Sequence, residues 1–189
     1  MTQLDLTTGI TPENAAAAAG GELIRSSGRK ITGISIDTRT INPGDLFVAV
    51  KGENTDGHRF VSCAADAGAS AVLISDPDAA GNLPEGCSAI LVPDTVAALG
   101  KLAEAHKAEL DVLTVAVTGS VGKTTTRQFI YGVLSQDMKT HRTEGNFNNE
   151  LGLPLSVMKL DGSFRASVLE MGMSAKGEIS YLTGIVRPD

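Results

Sequence analysis

The sequence predicts an α/β protein of two domains. Short apolar segments rich in β-branched residues alternate with helical segments along most of the 189 residues, and this alternation is typical of parallel sheets covered by helices. A glycine-rich run at residues 118–122 follows one such strand and precedes a helix, as in a P-loop. We expect a small α/β domain over residues 1–111 and a P-loop parallel-sheet domain over residues 112–189.

In the first domain, caps and turns mark the elements. Thr11 is a good helix N-cap, Pro12 suits the first helical turn, and Gly20 suits a helix end. The run Asn-Pro-Gly-Asp at 42–45 predicts a turn between two strands. Apolar periodicity adds the other elements: strands at 31–36, 46–50, 71–75 and 89–92, and helices at 60–67 and 94–110.

The second domain also alternates strands and helices. Its predicted elements are strands at 113–117 and 166–169, helices at 127–135, 151–159 and 177–186, and a loop at 141–148. Two strands are fewer than a parallel sheet of this type needs, and Arg-Pro-Asp at 187–189 resembles the approach to another strand. We therefore expect a truncated protein in which this second domain is incomplete.

Composition and charge exclude several classes of function. A formal net charge of -6 and a pI near 5.1 disfavour nonspecific binding to nucleic acid or anionic membranes, which needs clustered Lys and Arg. Aromatic residues make up 4% of the chain and Trp is absent, so base-stacking platforms are not expected. The sequence has no signal pattern and no run of about 20 apolar residues. We therefore expect no membrane insertion and a cytoplasmic location.

The run from Thr118 to Thr125 has the chemistry of a nucleotide phosphate cradle. Glycines allow successive backbone N–H groups to face phosphate oxygens, and the following helix adds its positive N-terminal end. Lys123 is the candidate catalytic residue because its ammonium group can reach the outer phosphates. The run departs from the general P-loop pattern at one position, where Val117 stands in place of glycine. The residues expected to bind ATP are Thr118, Gly119, Ser120, Val121, Gly122, Lys123, Thr124 and Thr125.

Thr124 and Glu170 are the candidate metal ligands. Thr124 follows the phosphate-loop lysine, where a hydroxyl can bind the Mg²⁺ that accompanies ATP. Glu170 ends the predicted strand 166–169, and ligands of open α/β sheets bind at the carboxyl ends of strands. Alone, Glu170 would be interpreted as an exposed charge at a strand end. Together with Lys123 and Thr124, it is better interpreted as a ligand of Mg²⁺.

A second polar segment lies between these two motifs. Residues 143–154 contain Asn146, Asn148 and Asn149 in a loop bounded by glycines. Their amides suit a polar ligand, but asparagines also form turns without any ligand. The segment alone does not decide between these two interpretations.

These motifs together resemble the Mur ligases, the ATP-dependent amide-bond synthetases of peptidoglycan precursor assembly. TGSVGKTTT has the form of their phosphate loop, in which Val117 is expected. Within the family, GNFNNELGLP, LEMGMSAKGEI and SIDTRTINPGDLFVAVKGENTDGHRF resemble the enzymes that join D-alanyl-D-alanine to UDP-N-acetylmuramoyl-tripeptide. The resemblance extends from Ile31 to Asp189.

The resemblance implies a monomeric enzyme of three domains. The first would hold the UDP end of the sugar nucleotide, the second would bind ATP, and a carboxy-terminal domain after Asp189 would complete the site. Phosphorylation of the tripeptide carboxylate would give an acyl phosphate, which the amine of D-alanyl-D-alanine attacks. We therefore expect the chain alone to be catalytically inactive.

The resemblance also implies roles for residues outside the phosphate loop. Four residues correspond to the UDP-substrate region: Ser35, Asp37, Thr38 and Arg39. Asn146, Asn148 and Asn149 correspond to positions near the muramoyl-peptide. His58 belongs to the same matched block, where a structural histidine of a turn is at least as good an interpretation as a ligand.

Three other functions compete with this interpretation. A regulatory ATPase of the partition-protein type has a similar phosphate loop, but it places a signature lysine where this chain has Thr118. A non-catalytic nucleotide-binding module would keep the same binding motifs. The sister ligase that adds the third peptide residue is disfavoured by Asn148, Asn149 and the run Glu-Met-Gly-Met at 170–173.

Overall fold

The computed structural model describes residues 4–52 and 54–189. The chain divides into two compact units, residues 1–102 and 103–189, and each has its own sheet. The division falls within helix α3 (Thr95–Ala108). The α/β architecture with parallel sheets agrees with the fold class expected from the alternating pattern. The boundary expected after residue 111 stays a prediction.

The first unit has a five-stranded sheet in the order β1-β5-β4-β3-β2. Its strands are β1 (Glu22–Arg25), β2 (Gly33–Ser35), β3 (Asp45–Val48), β4 (Ala71–Ile74) and β5 (Ser88–Leu91). Strands β2 to β5 are parallel to one another, and β1 is antiparallel to β5. Sequence patterns did not predict β1, because its residues alternate only between exposed and half-buried positions at the edge of the sheet.

Helices cover this sheet. They are α1 (Pro12–Ala19), which packs against β1 and β5, and α2 (Val61–Asp66), which packs against β4. The caps predicted for α1 are present: Thr11 Oγ1 accepts from the Asn14 N–H at 3.2 Å, and Gly20 ends the helix with a φ of 69°. Every residue of β3 and β4 is buried, as expected for parallel strands covered on both faces.

The second unit has a three-stranded parallel sheet in the order β6-β8-β7. Its elements are β6 (Leu113–Val117), α4 (Lys123–Leu134), β7 (Thr140–Arg142), α5 (Gly152–Val157), β8 (Ala166–Glu170) and α6 (Glu178–Val186). No helix of the part of the chain that the structure describes is long and apolar enough to span a membrane.

Two predictions for this unit were wrong in detail. Strand β7 lies partly where a loop was expected. Its sequence, Thr-His-Arg, has no apolar residue that would indicate a strand, but the His141 ring is buried against Phe164 in place of an apolar side chain. The unit therefore has three strands instead of two. Helix α4 begins at Lys123 and not at residue 127, because the polar first turn follows directly from Gly122.

Candidate nucleotide and metal site

The loop between β6 and α4 has the backbone geometry of an anion cradle. Gly119 and Gly122 have φ values of 142° and 83°, a region that favours glycine. Gly122 is followed directly by the 12-residue helix α4, whose N-terminal N–H groups are therefore directed at the loop. Lys123 Nζ donates to the Gly119 carbonyl at 2.7 Å. Its ammonium group thus lies over the loop, and its contact with phosphate stays a prediction.

The structure gives a reason for Val117, which stands where the general P-loop pattern has glycine. Val117 is the last residue of β6, and its side chain is buried in the unit. The phosphate loop begins only after it, and residues 118–122 are exposed. Val121 is 92% exposed at the tip of the loop. A ligand can therefore approach these backbone groups freely.

The strand register places Glu170 beside the phosphate loop. Glu170 ends β8 and pairs with Val117 at the end of the neighbouring strand β6. Thr124 Oγ1, in the first turn of α4, lies 3.0 Å from Glu170 Oε2. Two oxygen groups thus lie together at the carboxyl end of a parallel sheet, as the sequence predicted.

This donor set fits Mg²⁺. Hard oxygen ligands suit the ion, which usually takes one or two protein ligands and completes its shell with phosphate oxygens and water. The structure offers one threonine hydroxyl and one carboxylate. Among residues 4–52 and 54–189, no group of three His, Cys, Asp or Glu side chains could hold a metal without such help. A metal at this position would therefore depend on the nucleotide.

Arg127 is a residue of this site that sequence reasoning missed. Its NH1 lies 3.1 Å from Glu170 Oε2, and the two residues are only 4% and 3% exposed. The same NH1 contacts the Gly145 carbonyl at 3.4 Å. Its spacing from Thr124 could have indicated it. Arg127 follows Thr124 by three residues, so both lie on one face of α4.

The three asparagines of the loop after β7 separate into different roles. Asn148 Nδ2 donates to Glu170 Oε1 at 3.1 Å, and its carbonyl accepts from the Gly172 N–H at 2.7 Å. Asn149 Oδ1 accepts from the Gly152 N–H at 2.8 Å, at the start of α5. Asn146 is exposed. One amide thus binds the site carboxylate and another stabilises a turn, and the role of the segment in binding a polar ligand stays a prediction.

In the first unit, the candidate residues after β2 contact mainly one another. Ser35 Oγ accepts from the Asp37 N–H at 3.1 Å and lies 3.0 Å from Thr40 Oγ1. Asp37 caps the 3-10 turn Thr38–Thr40 through the Arg39 N–H. Its carboxylate also binds the Arg39 guanidinium at 2.6 Å, and this contact lowers the pKa of Asp37 to about 2. The Arg39 side chain remains 86% exposed.

His58 is held by both ring nitrogens. Its Nδ1 lies 2.7 Å from Asp56 Oδ1, and its Nε2 accepts from the Ser75 N–H at 2.9 Å. The ring therefore joins the 3-10 turn Gly57–Phe60 to the end of β4. This supports the structural interpretation of His58.

Two family models match consecutive stretches of the chain. The Mur ligase family catalytic domain matches residues 30–107, and the Mur ligase middle domain matches residues 117–189. The chain belongs to the Mur ligase family. The phosphate loop and Glu170 lie within the stretch that matches the middle domain, and Ser35 to Arg39 lie within the other. Membership of the Mur ligases decides against the partition-type ATPase.

Sequence and structure comparisons with individual Mur ligases also place the chain in this family. The UDP-N-acetylmuramoyl-tripeptide–D-alanyl-D-alanine ligase of Bacillus subtilis is 47% identical over 159 residues, covering 84% of this chain and 34% of the relative. MurF from Acinetobacter baumannii superposes with a TM-score of 0.85 at 32% identity, covering 94% of this chain and 39% of that one. MurF from Thermotoga maritima, solved in complex with ADP, gives 0.74 at 36% identity, covering 82% and 35%. The chain spans about a third of the length of the curated relative it matches.

Proposed function

We propose that this chain forms the UDP-substrate-binding and ATP-binding parts of a ligase that adds D-alanyl-D-alanine to UDP-N-acetylmuramoyl-tripeptide. The supporting observation is the convergence of Thr124 and Glu170, 3.0 Å apart, beside an open phosphate loop. The names of the relatives and the ADP complex of the Thermotoga maritima enzyme support the choice of substrates and nucleotide. Both substrates are small molecules, and we assign the enzyme to the cytoplasm as a monomer.

In the proposed reaction, a tripeptide carboxylate oxygen attacks the γ-phosphorus of ATP, giving an acyl phosphate and ADP. The amine of D-alanyl-D-alanine then attacks the acyl carbon, so that the amide bond forms and phosphate leaves. Positioning and electrostatic stabilisation dominate phosphoryl transfer, so no protein nucleophile is required. Lys123, whose Nζ lies over the loop, would stabilise charge on the transferring phosphoryl group.

The metal and substrate roles follow from the same residues. Thr124 and Glu170 would hold Mg²⁺, which neutralises phosphate charge when bound. We assign the UDP end of the substrate to the region of Ser35, Asp37, Thr38 and Arg39. The muramoyl-peptide is assigned to the loop 143–149, where Asn146 offers an exposed amide and Asn148 and Asn149 act chiefly by fixing the loop.

Calorimetric titration of the chain with MgATP and, separately, with UDP-N-acetylmuramoyl-tripeptide tests the proposal. We expect both ligands to bind. Lys123→Ala should weaken MgATP binding at least about tenfold, because a charge-assisted phosphate contact is lost, and should leave sugar-nucleotide binding unchanged. Lys139→Ala is the matched control: this exposed lysine precedes β7, at the opposite end of the strands from the phosphate loop.

The possible outcomes separate the competing functions. Sugar-nucleotide binding with no MgATP binding would favour a non-catalytic sugar-nucleotide module over the ligase. MgATP binding that is lost in Lys123→Ala, with no sugar-nucleotide binding, would contradict the assignment of the first unit. Equal losses in Lys123→Ala and Lys139→Ala would show that neither effect reports on the phosphate loop.

A further inference from the structure

One of the two candidate metal ligands, Glu170, is part of a buried ion pair. The Arg127 and Glu170 side chains are 5% and 4% exposed, and the Arg127 NH1 lies 3.1 Å from Glu170 Oε2. Burying a carboxylate costs several kcal/mol unless an opposite charge and hydrogen bonds compensate it. Arg127 supplies that charge from within α4, at 3.1 Å from Glu170 Oε2.

The hydrogen bonds around Glu170 fix the direction of its carboxylate. Asn148 Nδ2 donates to Oε1, whereas Arg127 and Thr124 both contact Oε2. The backbone is held too, because the Glu170 N–H donates to Thr143 Oγ1 at 2.9 Å. The carboxylate thus has partners on both oxygens and cannot turn away from Thr124 without breaking one of these contacts.

Arg127 is not the residue that stability alone would favour at this position. Its Nε is buried and has no hydrogen-bond partner among the described residues, and an unsatisfied buried donor costs free energy. Replacing a buried ion pair by apolar residues is often neutral or stabilising. A role in the function of Glu170 accounts for an arginine here better than a role in folding does.

We propose that Arg127 is a positioning residue, which holds the Glu170 carboxylate directed at Thr124 so that Mg²⁺ binds with the nucleotide. This inference rests on the proposed function of the site. Arg127 acts on the metal only through Glu170, in the manner of the outer partners that orient metal ligands elsewhere. Its contact with the Gly145 carbonyl at 3.4 Å places the neighbouring loop against the same guanidinium group.

The test compares nucleotide affinity with and without metal in Arg127→Met and Arg127→Lys. ATP is titrated into the chain in excess Mg²⁺ and again in EDTA, and Mn²⁺ bound in the presence of ADP is counted by electron paramagnetic resonance. Loss of an outer partner typically weakens metal affinity 10- to 100-fold. We therefore expect Arg127→Met to weaken binding at least about tenfold in Mg²⁺ and less than twofold in EDTA, with Arg127→Lys in between.

Arg142→Met is the matched control. Arg142 lies on β7 and contacts Gln128 and Tyr131 of α4, so it is an arginine that packs on the same helix, whereas the ion pair with Glu170 is made by Arg127. It should behave as the wild-type chain in both titrations. Thermal unfolding of every variant confirms that each is folded at the titration temperature, and Arg127→Lys, which keeps the charge, serves where Arg127→Met is unfolded.

The outcomes distinguish this inference from the proposed function. Equal weakening of ATP binding in Mg²⁺ and in EDTA would show that Arg127 has only a structural role, and unchanged Mg²⁺ and Mn²⁺ binding would also overturn the inference. A wild-type chain that binds no ATP contradicts the proposed function itself. ATP binding that is insensitive to both Mg²⁺ and Arg127 contradicts only the metal roles of Glu170 and Arg127.

Discussion

The two candidate binding regions differ in where their contacts come from. Around Glu170, side chains from positions 124, 127 and 148 converge on one buried carboxylate. After β2, Asp37 instead binds Arg39, two residues away, on the surface. Polar groups from distant segments meet in a buried place only where the fold holds them there, whereas neighbouring polar residues pair in any turn. The first arrangement is therefore the stronger indication of a functional site.

The largest effect is expected at the convergent carboxylate. Glu170→Gln leaves the buried Arg127 charge without its partner, which should lower the free energy of unfolding by about 3 kcal/mol. It should also abolish the dependence of ATP affinity on Mg²⁺, because the only carboxylate beside Thr124 that the structure describes is removed. Urea unfolding and ATP titration with and without Mg²⁺ measure the two effects.

A double variant separates stability from function at Glu170. Arg127→Met combined with Glu170→Gln removes both buried charges, so it should regain most of the lost stability without regaining the Mg²⁺ dependence. If the double variant restored Mg²⁺-dependent ATP binding, the carboxylate would not be a metal ligand. If Glu170→Gln alone left stability unchanged, the ion pair would not be compensating a buried charge.

Smaller effects are expected at the two neighbouring asparagines, and they should differ because one contacts the site carboxylate and the other only a local turn. Asn148 donates to the site carboxylate, whereas Asn149 accepts from the start of α5. Asn149→Ala should cost about 1 kcal/mol of unfolding free energy, as lost caps do, with unchanged ATP affinity. Asn148→Ala should cost a similar amount, since a hydrogen bond to a charged group is lost, and should also weaken MgATP binding. Chemical unfolding and calorimetric titration of both variants provide the comparison.

The opposite result, with weaker MgATP binding in Asn149→Ala and unchanged binding in Asn148→Ala, would contradict the roles assigned to these two asparagines. Weaker MgATP binding in Asn149→Ala alone would mean that the ordering of α5, and not the Asn148 amide, supports the site. Asn148→Asp is a useful addition, because it places a like charge beside Glu170 and should weaken MgATP binding further.

The sequence predicted most of what depends on local chemistry. The caps of α1, the glycine loop before Lys123 and the position of Glu170 at a strand end all follow from short patterns. It did not predict β1 and β7, whose polar or half-buried residues lack the apolar runs of a strand. It also missed Arg127, since a charged residue on a helix is usually interpreted as exposed, whereas this one is buried where α4 packs against β7 and β8.

The smallest effect is expected where the contacts are local. Asp37→Asn removes the exposed pair with Arg39, and water screens such pairs strongly. The pKa of Asp37 is lowered from 3.8 to about 2, so any stability from this pair is complete above pH 3.8 and is lost as the pH falls through about 2. The acid unfolding curves of the variant and the wild-type chain, followed by circular dichroism, should nevertheless superimpose, because the pair is exposed to solvent.

Titration with UDP-N-acetylmuramoyl-tripeptide then decides the role of this region. Weaker binding in a variant of unchanged stability would mean that Asp37 orients Arg39 for the substrate, whereas unchanged binding would mean that the pair only shapes the turn and that the UDP region lies elsewhere in the first unit.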